Sequence, residues 1–338
     1  MLKIFALLTS FAVLATATET PPPEPFTEKG FFFVDAEAFF LQPQENNLNY
    51  AIKSSSSAGI SNGRYQNIHF HWRPAFQTGI GYKLPNTDAW DFFCNYLYVH
   101  GKGTAHATAP TGGGLFSLWT IPSASLTASQ TGHAKWNLYI NRIDLETRGA
   151  FHPQNWLELR PSVGLSNAWI KQHYNINMAG AYNSQAFVTV ADDQIQMKNH
   201  FWGIGPRFGL DTQWKIFQGF SFYGNGSFSL LYGVFNIHQS ENVTYNNGYE
   251  TNYLSVKDSF RSVQPTVEFD LGLRFTQTFS HPNLRYCVEA GWQNWIFAGQ
   301  NQFYRFIEPA SSNSSGPSFA NGDSLALQGW KLAFLFYF

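Results

Sequence analysis

Apolar and polar residues alternate singly along most of this chain, in runs too regular for loops and at the wrong period for helices. In "FFFVDAEAFF", Phe32, Val34, Ala36, Ala38 and Phe40 share one parity, and Asp35 and Glu37 share the other. A strand sends successive side chains to opposite faces, so this run predicts a strand with one apolar and one polar face. The pattern recurs. "PAFQTGIGYKL" sets Phe76, Ile80 and Tyr82 against Gln77 and Lys83, and "LELRPSVGL" sets Leu157, Leu159, Val163 and Leu165 against Glu158 and Arg160. "FWGIGPRFGLDTQW" sets Trp202, Ile204, Phe208 and Leu210 against Arg207 and Asp211. "FSFYGNGSFSLLYG" carries Phe220, Phe222, Phe228 and Leu230 on one face. "VQPTVEFDLGLRFTQTF" opposes Val263, Val267, Phe269, Leu271 and Leu273 to Glu268, Asp270 and Arg274. "LRYCVEAGWQNWI" opposes Tyr286, Val288 and Trp292 to Arg285, Cys287 and Glu289. Two segments are less regular. "AWDFFCNYLYV" is aromatic on both parities and leaves its faces unassigned. "WNLYINRIDLETRG" begins with Trp136, Leu138 and Ile140 on one parity and continues with Ile143 and Leu145 on the other, which predicts a bulge near Asn141. With "WKLAFLFYF" at the end, these segments make ten strands.

The connections alternate in length. Short ones fall at 85–89, 150–155, 215–219 and 280–283; long, Gly-, Ser- and Asn-rich ones fall at 43–71, 101–133, 173–199, 237–261 and 298–324. Short turns at one end and long loops at the other are the arrangement of an outer-membrane barrel. The expected fold is therefore all-β, a transmembrane antiparallel up-and-down β-barrel of ten strands. Twelve or more remain open, because "LNYAI", "LFSLWTI", "AFVTV" and "VTYNNGYETNYLSV" are further strand candidates, the last with an Asn-Gly hairpin signal. Such stretches can extend strands above the membrane or fold into the lumen.

Composition sharpens this reading. Aromatic residues make up 18% of the 338 and charged residues only 13%, about half the usual share. No apolar run reaches the roughly 18 residues of a membrane helix. "MLKIFALLTSFAVLATA" has the Lys3 flank, short apolar core and Ala15-Thr16-Ala17 site of a secretory signal, so residues 1–17 are expected to be removed. Residues 18–29 form a Pro-rich lead-in, and 30–338 are expected to form one barrel. That places the protein in the outer membrane of a Gram-negative-type bacterium. Cys94 and Cys287 allow one bridge or two free thiols. A net charge of -1 with no basic block argues against nucleic acid.

The segments resemble a known family, the Legionella-type major outer membrane proteins and the porin-like proteins of chlamydia-like bacteria. The resemblance rests on "INRIDLETRGAF", "LELRPSVGLSNAWIKQ", "FWGIGPRFGLDTQW", "SLLYGVF" and "VEFDLGLRFTQTF", and more weakly on "FFFVDAEAFFLQPQE" and "WDFFCNYLYVHGK". It implies a pore-forming outer-membrane protein without catalytic residues or cofactor.

The polar parity supplies the candidate lumen: Asp35, Glu37, Lys83, Arg142, Asp144, Glu146, Arg148, Glu158, Arg160, Arg207, Asp211, Glu268, Asp270, Arg274, Arg285 and Glu289. A charge facing mid-bilayer lipid costs about 2–4 kcal/mol, so these side chains belong inside. Two readings follow. One is a polar channel passing small hydrophilic solutes; the other is a lumen filled by ion pairs, with external loops that bind surfaces. Trp72, Trp136, Trp202 and Trp214 are candidates for interfacial girdles in contact with outer-membrane lipid. Trp330, Phe334, Phe336 and Phe338 are candidates for the signal read by barrel-assembly machinery. His69, His71, His100 and His133, near outer strand ends, are read as polar rim residues rather than catalytic or metal-binding ones. Homo-oligomerisation is left open.

Overall fold

The computed structural model describes residues 30–60, 62–85, 90–184, 187–279, 284–306, 318–320 and 322–338. The expected signal segment and the lead-in lie outside them. Ten antiparallel strands form the wall: β1 (Phe31–Glu45), β2 (Arg73–Lys83), β3 (Trp90–Thr108), β4 (Thr131–Gly149), β5 (Leu157–Ala179), β6 (Val188–Phe217), β7 (Phe220–Tyr245), β8 (Glu250–Thr278), β9 (Arg285–Asn301) and β10 (Asp323–Tyr337). Each pairs with its chain neighbours, and β10 pairs with β1, placing Trp330 opposite Phe40 and Phe334 opposite Ala36. The ring is closed, so neither terminal strand presents an unpaired edge to lipid.

On the outward face the apolar residues predicted from parity form a continuous band. On β6 it runs through Trp202, Ile204, Phe208, Leu210 and Trp214, and on β8 through Val263, Val267, Phe269, Leu271 and Leu273, all substantially exposed. Trp202 to Trp214 spans twelve residue steps of about 3.3 Å, or about 28 Å of membrane normal at a tilt of about 45°. That matches the apolar belt of an outer-membrane barrel. Phe208→Arg, near the middle of this band, is expected to cost about 2–4 kcal/mol. Asn175→Arg, outward but above the band, should cost almost nothing; urea unfolding from lipid vesicles would measure both.

Several strands continue far beyond the membrane. β6 has 30 residues and β8 has 29, against the 9–11 that cross a bilayer. Much of what the sequence suggested as long loop at 173–199 and 237–261 is strand. β7 and β8 meet at a tight turn where Gly248 takes φ 82°, a left-handed conformation that glycine adopts without strain, so the Asn-Gly signal is a hairpin tip above the membrane.

Strand β4 corrects one expectation. Its pairings with β3 and β5 run unbroken through Asn141, and there is no bulge. Trp136, Leu138 and Ile140 share the inward face with Arg142 and Asp144, while Ile143 and Leu145 face out. What changes along the strand is the surrounding medium, not the register. In the membrane the lipid side must be apolar and charges go inside. Above it, water takes the outer side and the inside becomes an ordinary apolar core. Trp136 is therefore no girdle residue: it is fully buried in that core, edge-on to Phe70.

Candidate functional site

The lumen has two storeys. In the membrane storey, inward parity brings charges from most of the wall strands together. The Glu268 carboxylate of β8 takes bonds from two guanidiniums: Arg142 of β4, including Nη2 at 3.0 Å, and Arg207 of β6 at 2.6 Å. Arg142 also reaches Asp144 at 3.0 Å, and Arg207 pairs with Glu146. A second knot forms around Lys331 of β10, whose Nζ lies 2.8 Å from Asp270, 3.4 Å from Glu289 and 3.5 Å from Glu37. Arg274 joins it through Glu289 at 2.6 Å and Gln213 at 2.7 Å. Toward the short-turn end, Asp91 is clamped by Arg148 at 2.8 Å and by Arg160, and the Arg148 guanidinium lies 4.0 Å from the Phe93 ring centre. Glycine makes room there: a Cβ on Gly81 would collide with the Phe33 ring, and one on Gly79 with Phe93. A cavity of about 120 Å³ lies among these groups, lined among others by Asp35, Asp211 and Asn225.

The predicted inward set thus lies on one face of the wall, but not at one level. Glu158 sits near the short-turn end, 3.4 Å from His152. Lys83 and Arg285 are also at that end, against the rings of Phe31 and Tyr337. Asp91 and Lys331 belong to the network but were missing from the predicted set. Asp91 sits in the segment whose faces the aromatic residues obscured. Lys331 is the charge opposite the apolar parity of the last strand, and that alternation was the available signal. The two cysteines are free: Cys94 is on the outward face of β3 and Cys287 on the inward face of β9.

Above the charges the lumen is closed by chain. Between β1 and β2, strands Ala51–Ser54 and Gly63–Gln66 pair with each other, and the first also pairs with Gly114–Ser117 from the β3–β4 connection. This small sheet and the turn at Pro122–Ala124 put Leu48, Tyr50, Leu115 and Trp119 against Trp136, Leu138, Ile170 and Tyr174 of the wall. Trp119 Nε1 donates to the Asn49 carbonyl at 2.7 Å, and the Tyr174 hydroxyl donates to that of Leu48 at 2.6 Å. Gln172 bonds Glu45 at 2.7 Å, and Asn199 bonds the Gln300 carbonyl at 2.6 Å, while Glu45 Oε1, Asn199 Oδ1 and Trp136 Nε1 are buried without a hydrogen-bond partner among the described residues.

One side of the plug is tied to carboxylates well above the membrane band. The Thr120 hydroxyl donates to Asp193 at 2.8 Å, and the Ile121 amide donates to Glu241 at 2.8 Å. Burial raises both acids, to about 7 for Asp193 and about 9 for Glu241; Asp193 pushes Glu241 up further, while the Thr120 bond restrains Asp193. A raised folded-state value means that the native form holds a proton the unfolded chain has released. This contribution to docking is complete below the ordinary carboxylate values near 4 and is lost as pH rises through about 7 and then about 9. Protease protection of the 114–130 segment should therefore fall between about pH 4 and about pH 9. Asp193→Asn with Glu241→Gln should flatten the profile; an unchanged profile would remove these two groups as its cause.

The expected rim histidines lie on the outward face, with His71 Nε2 2.7 Å from the Thr104 hydroxyl and His133 packed on His106 at 4.1 Å. Among the described residues no three His, Cys, Asp or Glu side chains gather as a metal site.

A closed ten-strand wall, an uncharged outward belt and charges held inside define a transmembrane β-barrel of an outer membrane. Residues 24–332 match the family described as Legionella pneumophila major outer membrane protein precursor, and the chain belongs to that family. No curated protein matches it. Among solved structures it is similar to the outer membrane protease OmpT from Escherichia coli, at 16% identity and TM-score 0.41, over 95% of this chain and 99% of that one. It is also similar to a major outer membrane protein from Thermus thermophilus, at 9% identity and TM-score 0.31, over 91% and 99%. The P. putida toluene transporter TodX aligns at 9% identity and TM-score 0.33, over 93% and 90%. These superpositions are too loose to transfer an activity.

Proposed function

We propose that this protein is a closed structural barrel of the outer membrane, whose folded external half serves as a surface-binding platform. The observation that carries the reading is the two-storey closure. Ion pairs narrow the membrane lumen around a cavity of about 120 Å³, and an apolar plug occupies the space above. Ten strands enclose little more than the eight whose lumen side chains just fill, so ordinary side chains can shut this barrel. The external half has its own apolar core, which lets it hold a fixed binding surface above the membrane. The purified, refolded chain in a planar bilayer should be electrically silent near neutral pH. Stable conductance steps there, with entry of small sugars into liposomes, would overturn the closed reading.

A second reading is a gated, porin-like path for small hydrophilic solutes. It is favoured by the mixed charges facing the lower cavity and by a plug tied to titratable acids. Under this reading the silent barrel opens when the plug leaves.

A further inference from the structure

Immediately above the lipid belt, the outward face from β3 to β8 is basic. Cross-strand register places its residues in rows. The lowest row is the aromatic boundary, with Tyr98 opposite Asn141, Asn141 opposite Trp169, and Trp169 opposite Trp202. One same-face step higher, His100 faces Tyr139, Tyr139 faces Lys171, and Lys171 faces His200. One step higher again, Lys102 faces Asn137, Asn137 faces His173 and His173 faces Lys198; Lys198 then faces His238, and His238 faces Lys257. Neither basic row contains a carboxylate, and these lysines form no salt bridge among the described residues. Lys171, Lys198 and Lys257 are exposed, and Lys102 is partly so.

Height decides what this belt meets. Each same-face step climbs about 6.6 Å along the strand, or about 5 Å along the normal at barrel tilt. The headgroup layer on each side of the hydrocarbon core is about 5–7 Å thick. Over Trp169 and Trp202 the first row therefore lies within the headgroups and the second about 10 Å above the aromatic row. Rows crossing tilted strands also climb by about 3 Å per strand, so Lys102, Lys171 and Lys198 lie at or within side-chain reach of the headgroups and Lys257 stands above them. Cations at that depth meet the phosphate level of the lipid rather than bulk water. His200 lies opposite Lys171 and His173 opposite Lys198. His173 and His200 also lie 3.0 Å apart between their Nε2 atoms, so at least one of the two is neutral and the standing charge comes from the lysines. An unpaired cationic strip of this kind, continuous with the lipid face, is electrostatically complementary to an anionic headgroup.

We propose that this belt is a binding surface for phosphate-bearing lipid headgroups in the leaflet on the plug side, the outer leaflet in the orientation set by short periplasmic turns. Lys102, Lys171 and Lys198 supply the charge at that depth, Lys257 adds to the field from above, and the Tyr98–Trp202 row anchors the lipid boundary. The ligand is a neighbouring lipid, not a soluble anion.

The test is lipid selectivity measured by electron paramagnetic resonance. The complete folded barrel is placed in phosphatidylcholine vesicles with spin-labelled phosphatidic acid or spin-labelled phosphatidylcholine. The native chain should prefer phosphatidic acid by about five-fold, the ratio expected for one engaged lysine near a membrane surface. Lys102→Gln, Lys171→Gln, Lys198→Gln and Lys257→Gln together should bring the ratio to about one. The four Lys→Arg replacements should retain it. A native ratio of one, an unchanged ratio in the glutamine variant, or loss in the arginine variant would overturn the proposal. Abolition of the native preference by inorganic phosphate, but not by chloride at matched ionic strength, would reassign the belt to soluble phosphate and overturn the lipid assignment.

Discussion

A barrel stripped of its plug is expected to conduct. Ala109 N donates to the Gln130 carbonyl at 2.7 Å, so the ends of the plug segment already touch and a short glycine-serine linker can replace residues 110–129. In the first connection, Tyr50 N bonds the Gln66 carbonyl at 3.0 Å, which allows a similar excision there. Removing both takes Ala51, Leu115 and Trp119 out of the lumen and exposes Trp136, Ile170 and Tyr174 to water. The membrane storey keeps its strands and ion pairs, because none of those ion pairs involves the excised residues. Planar-bilayer recordings should change from silence to small discrete steps, while sugars remain excluded, since the charged layer is then the constriction. The variant must first show the heat-modifiable mobility of a folded barrel. If it folds and stays silent, the charged layer seals the lumen alone; gated transport is then excluded, and the structural reading stands.

The second large effect lies at Glu268. Glu268→Ala removes the carboxylate shared by Arg142 and Arg207 and leaves both guanidiniums buried without their principal partner. Breaking a buried ion pair from one side costs about 3–5 kcal/mol, because the remaining charge is neither paired nor hydrated. Denaturant unfolding from vesicles should show a loss of that size. Arg142→Met with Glu268→Met should cost less than Glu268→Ala, since Arg207 keeps Glu146 and Asp144 keeps Arg207 at 3.8 Å and Ser166 at 2.6 Å. A single-variant loss below about 1 kcal/mol would show the cluster to be hydrated rather than buried.

Parity and loop lengths determined the membrane storey. Strand count, closure of the terminal strand on Phe32–Phe40, and the inward direction of Arg207, Glu268 and Asp270 all follow from singly alternating residues. Lipid enforces that alternation along every crossing, so the signal is strong in sequence. Side-chain period carries direction but not height or partner. The sequence therefore could not show that Glu268 would be shared by Arg142 and Arg207 from different strands, or that Lys331 would gather Asp270, Glu289 and Glu37. Those meetings depend on stagger around a closed ring.

Tertiary structure alone decided the upper storey. Trp136 and Arg142 share a parity, and the sequence carries no mark of the level at which membrane yields to water. That level inverts the meaning of an apolar residue, from lipid contact below to buried core above. A one-dimensional pattern read under one solvent must then infer a bulge where the strand is regular. The plug was legible only as one of two alternatives, for a related reason. "LNYAI" and "LFSLWTI" read as short strands of unknown partner, and only the closed wall supplies the apolar cavity that draws them inward.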